Sequence, residues 1–271
     1  MPELPEVETV RRGLAPCLEN QILLGAHVRQ PRLRWPVPEN LDALTRGQRI
    51  HHLTRRGKYL LAQLDHGWLI MHLGMSGSLR LTQATVEPEK HDHVDFLLPD
   101  KQVLRYRDPR RFGALLWCED PEQHPLITHL GVEPLTEAFN AASLHALCQH
   151  KKTAIKLLLM DASLIVGVGN IYANESLFHA GIDPRLAAGK LSRPRCERLV
   201  DAIRQTLAQA IATGGSSLRD FVDGHGKPGY FQQSYFVYGR TGEACAICAS
   251  PIRHLRQSAR SSFYCPHCQR R

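Results

Sequence analysis

Three features of the 271-residue chain predict an α+β multidomain fold. Residues 21–117 alternate apolar and polar positions in short runs, which is the pattern of strands in an N-terminal β-sandwich with flanking helices. Past a stretch bearing Gly131 and Pro134, the apolar spacing becomes helical. The last segment carries two Cys-x-x-Cys pairs, the mark of a small metal-held hairpin. The boundaries read from these changes are 1–130 for the sandwich, 131–137 for a linker, 138–235 for the helical domain and 236–271 for the cysteine-bearing tail. The chain is long enough for two domains and an accessory element.

Residues 2–14 read as a short helix with Val7, Val10 and Leu14 on one face. Strands are expected at Leu69–Leu73, Val94–Leu98, Val103–Tyr106 and Ala114–Trp117, with turn signals at Gly74, Gly77 and Pro99-Asp100. Ala142, Leu144, Leu147 and Cys148 open the helical region, and Ile155–Met160 continues it. Leu164–Gly169 is a glycine-rich turn feeding a helix, with Asn170 as its expected N-cap and Gly181 as its end. Ser192-Arg193-Pro194 starts another helix carrying Leu199, Val200, Ile203, Leu207 and Ile211, stopped by Gly214-Gly215. Residues 216–234 hold Gly224, Gly226 and Gly229 without periodicity, and loops of that length are often functional.

Lys and Arg total 34 against 26 Asp and Glu, for a net charge of +8. That balance suits a polyanion. Arginines at 105, 107, 110 and 111, and others along the tail, favour nucleic acid over a membrane surface. No run reaches the ~18 apolar residues of a membrane span, and the acidic start does not read as a signal peptide. The expectation is a soluble, cytoplasmic protein.

Cys245, Cys248, Cys265 and Cys268 form two knuckles separated by sixteen residues, a spacing that reads as a structural zinc site. Four protein thiolates close a tetrahedral shell, so one structural zinc ion is expected and no organic cofactor. Two such pairs in one short tail argue against a redox pair, and His267 inside the second knuckle is not needed as a ligand. From Arg240 onward there are six arginines and one glutamate, net +5, which becomes +3 once four thiolates hold a divalent ion. So small a tail has little core, and metal binding is expected to supply its folding energy. Two strands are expected between the knuckles, with Arg260 near their turn, where a guanidinium can grip phosphate. Cys17, Cys118, Cys148 and Cys196 are scattered and read as small packing residues.

The opening Met1-Pro2-Glu3-Leu4-Pro5-Glu6-Val7-Glu8 supports two readings. Pro2 and Pro5 suit a helix start, and Glu3, Glu6 and Glu8 complement its positive end. Alternatively, removal of Met1 frees the secondary amine of Pro2. An α-amine loses its proton roughly 2–3 units below a lysine. It can therefore attack an electron-poor sugar carbon and form an iminium, with Glu3 beside it to pass protons.

MPELPEVETVRRGL resembles the start of formamidopyrimidine-DNA glycosylases, bacterial enzymes that excise oxidised purines and cut the strand. Matching motifs continue through Leu164–Glu175 to the last cysteine pair, so the resemblance covers essentially the whole chain. It implies a helix-two-turn-helix domain in the helical region and a zinc-finger hairpin at the end. It also implies that Pro2 attacks C1′ of the damaged nucleotide, that Glu3 is the general acid, and that Lys58 and Arg260 serve β- and δ-elimination. His91, Arg110, Lys151 and Asn170 match DNA contacts of the family, and Met75, Arg110 and Phe112 match the side chains that fill the space left by an extruded nucleotide. The implied partner is double-stranded DNA bearing an oxidised purine or an abasic site, bound by a monomer away from any membrane.

Residue by residue, other readings stand beside these. Met75 and Phe112 alone read as core, Lys58 as a salt-bridged strand lysine and Lys151-Lys152 as a solvated pair. His91 and His93 suggest a metal but lack a third ligand. The endonuclease VIII branch, which favours oxidised pyrimidines, usually has Gly where this chain has Leu4. Asp161-Ala162 departs from the acid–glutamine pair of many relatives. A zinc-dependent DNA-binding regulator without catalysis is the alternative from another class. Loop 216–234 is expected to read the base.

Overall fold

The computed structural model describes residues 2–214 and 235–271, so the loop expected at 216–234 lies outside the described residues. Among the described residues two compact units form. One runs up to His129, and the other comprises Leu130–Ala212 with residues 235–271.

The first unit opens with α1, Leu4–Leu18. Glu6 Oε2 accepts the Glu3 backbone N–H at 2.7 Å while the Glu3 carboxylate serves the Glu6 N–H, a reciprocal box that satisfies two donors at the helix start. The helix runs one turn past the expected residue 14, because Leu18 buries beside Leu14 in the core. Strands β1 (Gly25–Val28), β6 (Asp92–Leu97), β7 (Gln102–Arg107) and β5 (Ser78–Gln83) make one antiparallel sheet in the order β1-β6-β7-β5. Strands β2 (Ile50–Arg56), β3 (Tyr59–Leu64), β4 (Trp68–His72) and β8 (Ala114–Cys118) make the other, in that order and also antiparallel. Leu53, Leu60, Met71 and Leu115 from one sheet share a core with Leu79, Phe96, Leu104 and Tyr106 from the other, and Val7, Val10 and Leu14 of α1 join it. The sandwich is therefore as expected. The short helices α2 (Leu41–Thr45) and α3 (Pro125–Thr128) were not announced by periodicity, being too short to display it.

The arginine cluster at 105–111 is divided by the fold. Arg105 is 1% exposed and pairs with Asp95 through two 2.8 Å hydrogen bonds, and Arg107 pairs with Glu89 and Asp92. Of the four clustered arginines only Arg110 and Arg111 are exposed. The buried acids of β6 claim the others, since a charge left unpaired in the sheet would be costly.

The second unit holds α4 (Ala141–Cys148), α5 (Ile155–Leu159), α6 (Asn170–His179) and α7 (Arg193–Ala212). Helices α4 and α6 pack on α7, whose Leu199, Ile203 and Leu207 are fully buried. Gly131 and Val132 are tied to the segment before α6, Gly131 N–H donating to Ala162 C=O at 2.8 Å and Val132 N–H to Leu164 C=O at 3.0 Å. The N-cap of α6 is Gly169, not Asn170. Its carbonyl accepts the first helical bond, from Ala173 at 3.0 Å, which puts Asn170 at the first helical position. Gly181, at φ +67°, turns the chain out of the helix as expected.

Strands β9 (Arg253–Gln257) and β10 (Arg260–Tyr264) pair as a hairpin closed by Ser258 and Ala259, both at positive φ (43° and 62°). Two such residues are what a two-residue hairpin turn with the right twist needs. The hairpin does not stand alone. Phe178 of α6 shares a cluster with Val237, Ile252, Cys245 and Cys265. Asn174 Oδ1 accepts the Phe263 N–H at 2.8 Å, and Glu175 accepts the N–H groups of Phe236, Val237 and Tyr238 at 2.8–3.0 Å.

Candidate active site and nucleic-acid interface

In the first unit, Pro2 is buried and Glu3 is 2% exposed at the head of α1. One turn on, Glu8 receives Arg11 and Arg12 at 2.8 Å each and Arg55 of β2 at 3.2 Å. Arg55 Nη1 also donates to Gly57 C=O at 2.8 Å, in the turn that presents Lys58. A polar chain thus ties the helix that bears Pro2 and Glu3 to the Lys58 turn. Burial alone would raise the Glu8 pKa, but hydrogen bonds from Arg11 and Arg12 and the charges of Arg11 and Arg55 bring it down to about 2. Glu8 therefore stays ionised at any working pH. The sequence marked it only as a complement to the helix dipole.

His72, at the end of β4, packs against Tyr59 with ring centroids 4.7 Å apart and planes tilted by 43°, and its Nδ1 accepts the Gly74 N–H at 3.0 Å. The ring is neutral, with its proton on Nε2. Burial, then the positive charges of Lys58 and Arg34, lower its pKa to about 4 against the smaller pull of Asp108. Nothing in the apolar run Leu69–Leu73 singled this histidine out.

Two loops beside it carry the expected space-filling residues. Met75 is half-buried in the Gly74–Gly77 loop, while Arg110 and Phe112 are exposed between β7 and β8. Phe112 is 43% exposed, so the core reading fails for it, and the Arg110 guanidinium lies 4.8 Å from its ring centroid. The loops touch. A Cβ on Gly74 would fall 2.5 Å from the Gly113 nitrogen, so only glycine admits this approach. Met75, Arg110 and Phe112 are thereby brought to one place. His91 is half-buried, and His93 Nε2 donates to the Asp108 carbonyl at 2.8 Å. Among the described residues no metal cluster includes either histidine.

In the second unit, Lys151 is exposed and its carbonyl accepts the Gly189 N–H at 2.9 Å. Asn170 heads α6 behind Gly167 and Gly169, where backbone N–H groups and the helix dipole favour an anion. Its Oδ1 is buried without a hydrogen-bond partner among the described residues. Arg260 is exposed at the first position of β10, beside the hairpin turn. The ligand atoms of Cys245, Cys248, Cys265 and Cys268 all lie within 4.8 Å of one another, with Sγ–Sγ separations of 3.9 Å for Cys245–Cys268 and 3.4 Å for Cys248–Cys265. A tetrahedral zinc with Zn–S bonds of about 2.3 Å needs sulfurs about 3.8 Å apart. The donor set fits one structural zinc ion, and His267, exposed, is outside it.

Residues missed at the sequence level are those whose partners are far along the chain. Lys156, Asn174 and Glu175 are at most 4% exposed; the first two hold the hairpin to the helices, and Glu175 holds the segment Phe236–Tyr238.

Comparison with known proteins covers all three regions. The formamidopyrimidine-DNA glycosylase N-terminal domain family matches residues 1–115, the formamidopyrimidine-DNA glycosylase H2TH domain family residues 130–222, and the zinc finger found in FPG and IleRS residues 242–271. The chain is 58% identical to the formamidopyrimidine-DNA glycosylase of Thiobacillus denitrificans and 55% identical to that of Ectopseudomonas mendocina, each over 270 residues and 100% of both chains. Among solved structures, the MutM (Fpg) protein of Thermus thermophilus matches with a TM-score of 0.87 at 39% identity, covering 99% of this chain and 98% of that one. Lactococcus lactis Fpg in complex with DNA containing an abasic site matches with 0.91 at 34% identity, covering 99% and 100%. The same enzyme with DNA containing Fapy-dG matches with 0.89 at 34% identity, again over 99% and 100%.

Proposed function

Since the chain belongs to the formamidopyrimidine-DNA glycosylase family, we propose that it is a cytoplasmic base-excision repair enzyme that removes oxidised purines from duplex DNA and then cleaves the abasic strand. The substrate class follows its relatives, one of which is seen on abasic and Fapy-dG DNA. The observation that carries the reading is the pairing of Pro2 with a buried Glu3 on a helix tied through Glu8 and Arg55 to the Lys58 turn.

The nitrogen of Pro2, freed of Met1, attacks C1′ of the damaged nucleotide. Glu3 delivers a proton to the sugar oxygen as the ring opens, a role that typically contributes 10²–10⁴-fold. The base departs with the glycosidic electron pair, leaving an iminium between Pro2 and the sugar. That cation acidifies the C2′ proton, and Lys58 assists its removal, so the 3′ phosphate is expelled by β-elimination. A second elimination expels the 5′ phosphate. Arg260, always charged, stabilises phosphate there rather than taking protons. Hydrolysis of the iminium then frees Pro2 and leaves a one-nucleotide gap. Lys151, Asn170, His91 and Arg110 hold the backbone, and Met75, Arg110 and Phe112 occupy the vacated stack. The zinc keeps the Arg260 hairpin folded and takes no part in the bond changes.

Borohydride added during reaction with an abasic or 8-oxoguanine duplex is expected to fix a covalent complex, with mass spectrometry placing the adduct on Pro2. A non-catalytic zinc regulator would give no complex at all. Parallel excision from oxidised-purine and oxidised-pyrimidine duplexes separates this assignment from the endonuclease VIII branch. Faster pyrimidine release would overturn the substrate class.

A further inference from the structure

Three segments that carry the proposed DNA-facing side chains converge on one residue, two of them on its carboxylate and the third on its backbone. Asp108 is fully buried. Its Oδ1 accepts from Ser76 Oγ at 2.8 Å and from the Arg110 N–H at 3.3 Å, and its Oδ2 accepts from the Gly113 N–H at 2.8 Å and the Tyr106 hydroxyl at 3.3 Å. Its own N–H donates to the His91 carbonyl at 3.1 Å, and its carbonyl accepts from His93 Nε2 at 2.8 Å and from the Arg111 N–H at 3.1 Å. Ser76 also receives the Arg110 N–H, at 3.2 Å, so the two loops are cross-linked twice. Burial, then Asp108 itself, push the Tyr106 phenol far above its usual pKa and keep it a donor.

We propose that Asp108 is the positioning residue for nucleotide extrusion: it clamps the Gly74–Gly77 loop to the Pro109–Gly113 loop, so that Met75, Arg110 and Phe112 enter the duplex as one rigid block. The packing allows few other arrangements. A Cβ on Gly113 would fall 1.8 Å from the Tyr106 hydroxyl and 2.4 Å from the His72 carbonyl, which fixes the Phe112 end of the block. A charged acceptor facing neutral donors holds each of them more tightly than a neutral one would. Ser76 is the only side-chain donor to Asp108 from the Met75 loop among the described residues, so it alone couples that loop to the carboxylate.

This role rests on the glycosylase reading, and the test separates the two. Asp108→Asn keeps the shape but weakens the clamp, and Ser76→Ala cuts only the tie to the Met75 loop. Single-turnover excision is measured on a duplex with 8-oxoguanine, and strand cleavage on a single strand with a preformed abasic site, which has no stack to fill. Both variants are expected to lose at least about tenfold in excision, while single-strand cleavage stays within about twofold of wild type. A fluorescent 2-aminopurine beside the lesion should brighten with wild type and fail to do so with the variants. Equal losses on both substrates, or no loss on either, would overturn the role. If Asp108→Asn does not fold, Ser76→Ala decides alone. Wild type inactive on both substrates would overturn the underlying reading as well.

Discussion

The ammonium of Lys156 donates to the hydroxyl of Ser262 at 2.8 Å, joining α5 to β10 across more than a hundred residues of chain. It also donates to the Ser261 carbonyl at 2.7 Å, and Lys156 is 0% exposed. The hairpin that carries Arg260 is therefore held by the helical core as well as by metal.

Removing that link should loosen the hairpin. A hydrogen bond to a charged group contributes about 1.5–3 kcal/mol, and a buried partner left orphaned costs a similar amount. Ser262→Ala is expected to lower the unfolding free energy of the zinc-loaded protein by about 2 kcal/mol, and Lys156→Ala by more because it also opens a cavity. Urea melts read both, and unchanged midpoints would rule out an energetic role for the pair.

Metal removal should act on the same hairpin from the other side. One zinc per chain is expected by elemental analysis, and Cys265→Ser or a strong chelator should abolish it. Amide exchange in Arg253–Tyr264 should then speed up while the sandwich strands stay protected, and DNA affinity should fall with Arg260 no longer held in place. Exchange in the hairpin that ignores chelation would contradict the structural assignment.

Stability should drop with acid in two windows. The His72 ring stays neutral in the fold down to about pH 4, whereas in the unfolded chain it takes a proton below about 6.5. The unfolded state thus binds more protons between these values, and falling pH removes on the order of 3 kcal/mol of stability. Glu8 follows from its ordinary 4.5 to about 2, where protonation ends its pairing with Arg11, Arg12 and Arg55. Melting temperatures from pH 7 to 4 should fall for wild type and flatten for His72→Asn. Parallel curves would exclude His72 as the origin.

DNA binding should separate charge from hydrogen bonding. Lys151→Ala is expected to reduce the slope of log affinity against log salt by about 1, as one phosphate contact is lost. Asn170→Ala should weaken binding at every salt concentration and leave the slope unchanged, since its amide is neutral. A slope that does not respond to Lys151 would remove that residue from the phosphate track.

Much of this was legible in the residues themselves, and the exceptions share a cause. Alternation located β4, β6, β7 and β8, and helical spacing located α4 and α7, because those signals repeat within one element. Cysteine spacing identified the zinc site because each knuckle is a local turn. The burial of Arg105 was not legible because Asp95, its partner, lies on the neighbouring strand. The reading of Phe112 as core failed because exposure depends on what packs above a loop, which no short window contains.

By itself, the amino-acid order determined the element types, the cysteine quartet and the Pro2-Glu3 head of the first helix. Each depends on neighbours a few residues away. Only the tertiary structure decided which charged groups are tied up inside the fold, as Arg105 is by Asp95 and Lys156 by Ser262, and which stay exposed, as Arg110 does. It also brought the Met75 and Phe112 loops onto Asp108. Burial and pairing are set by strand register and helix packing, so residues tens of positions apart become neighbours only when the chain has folded.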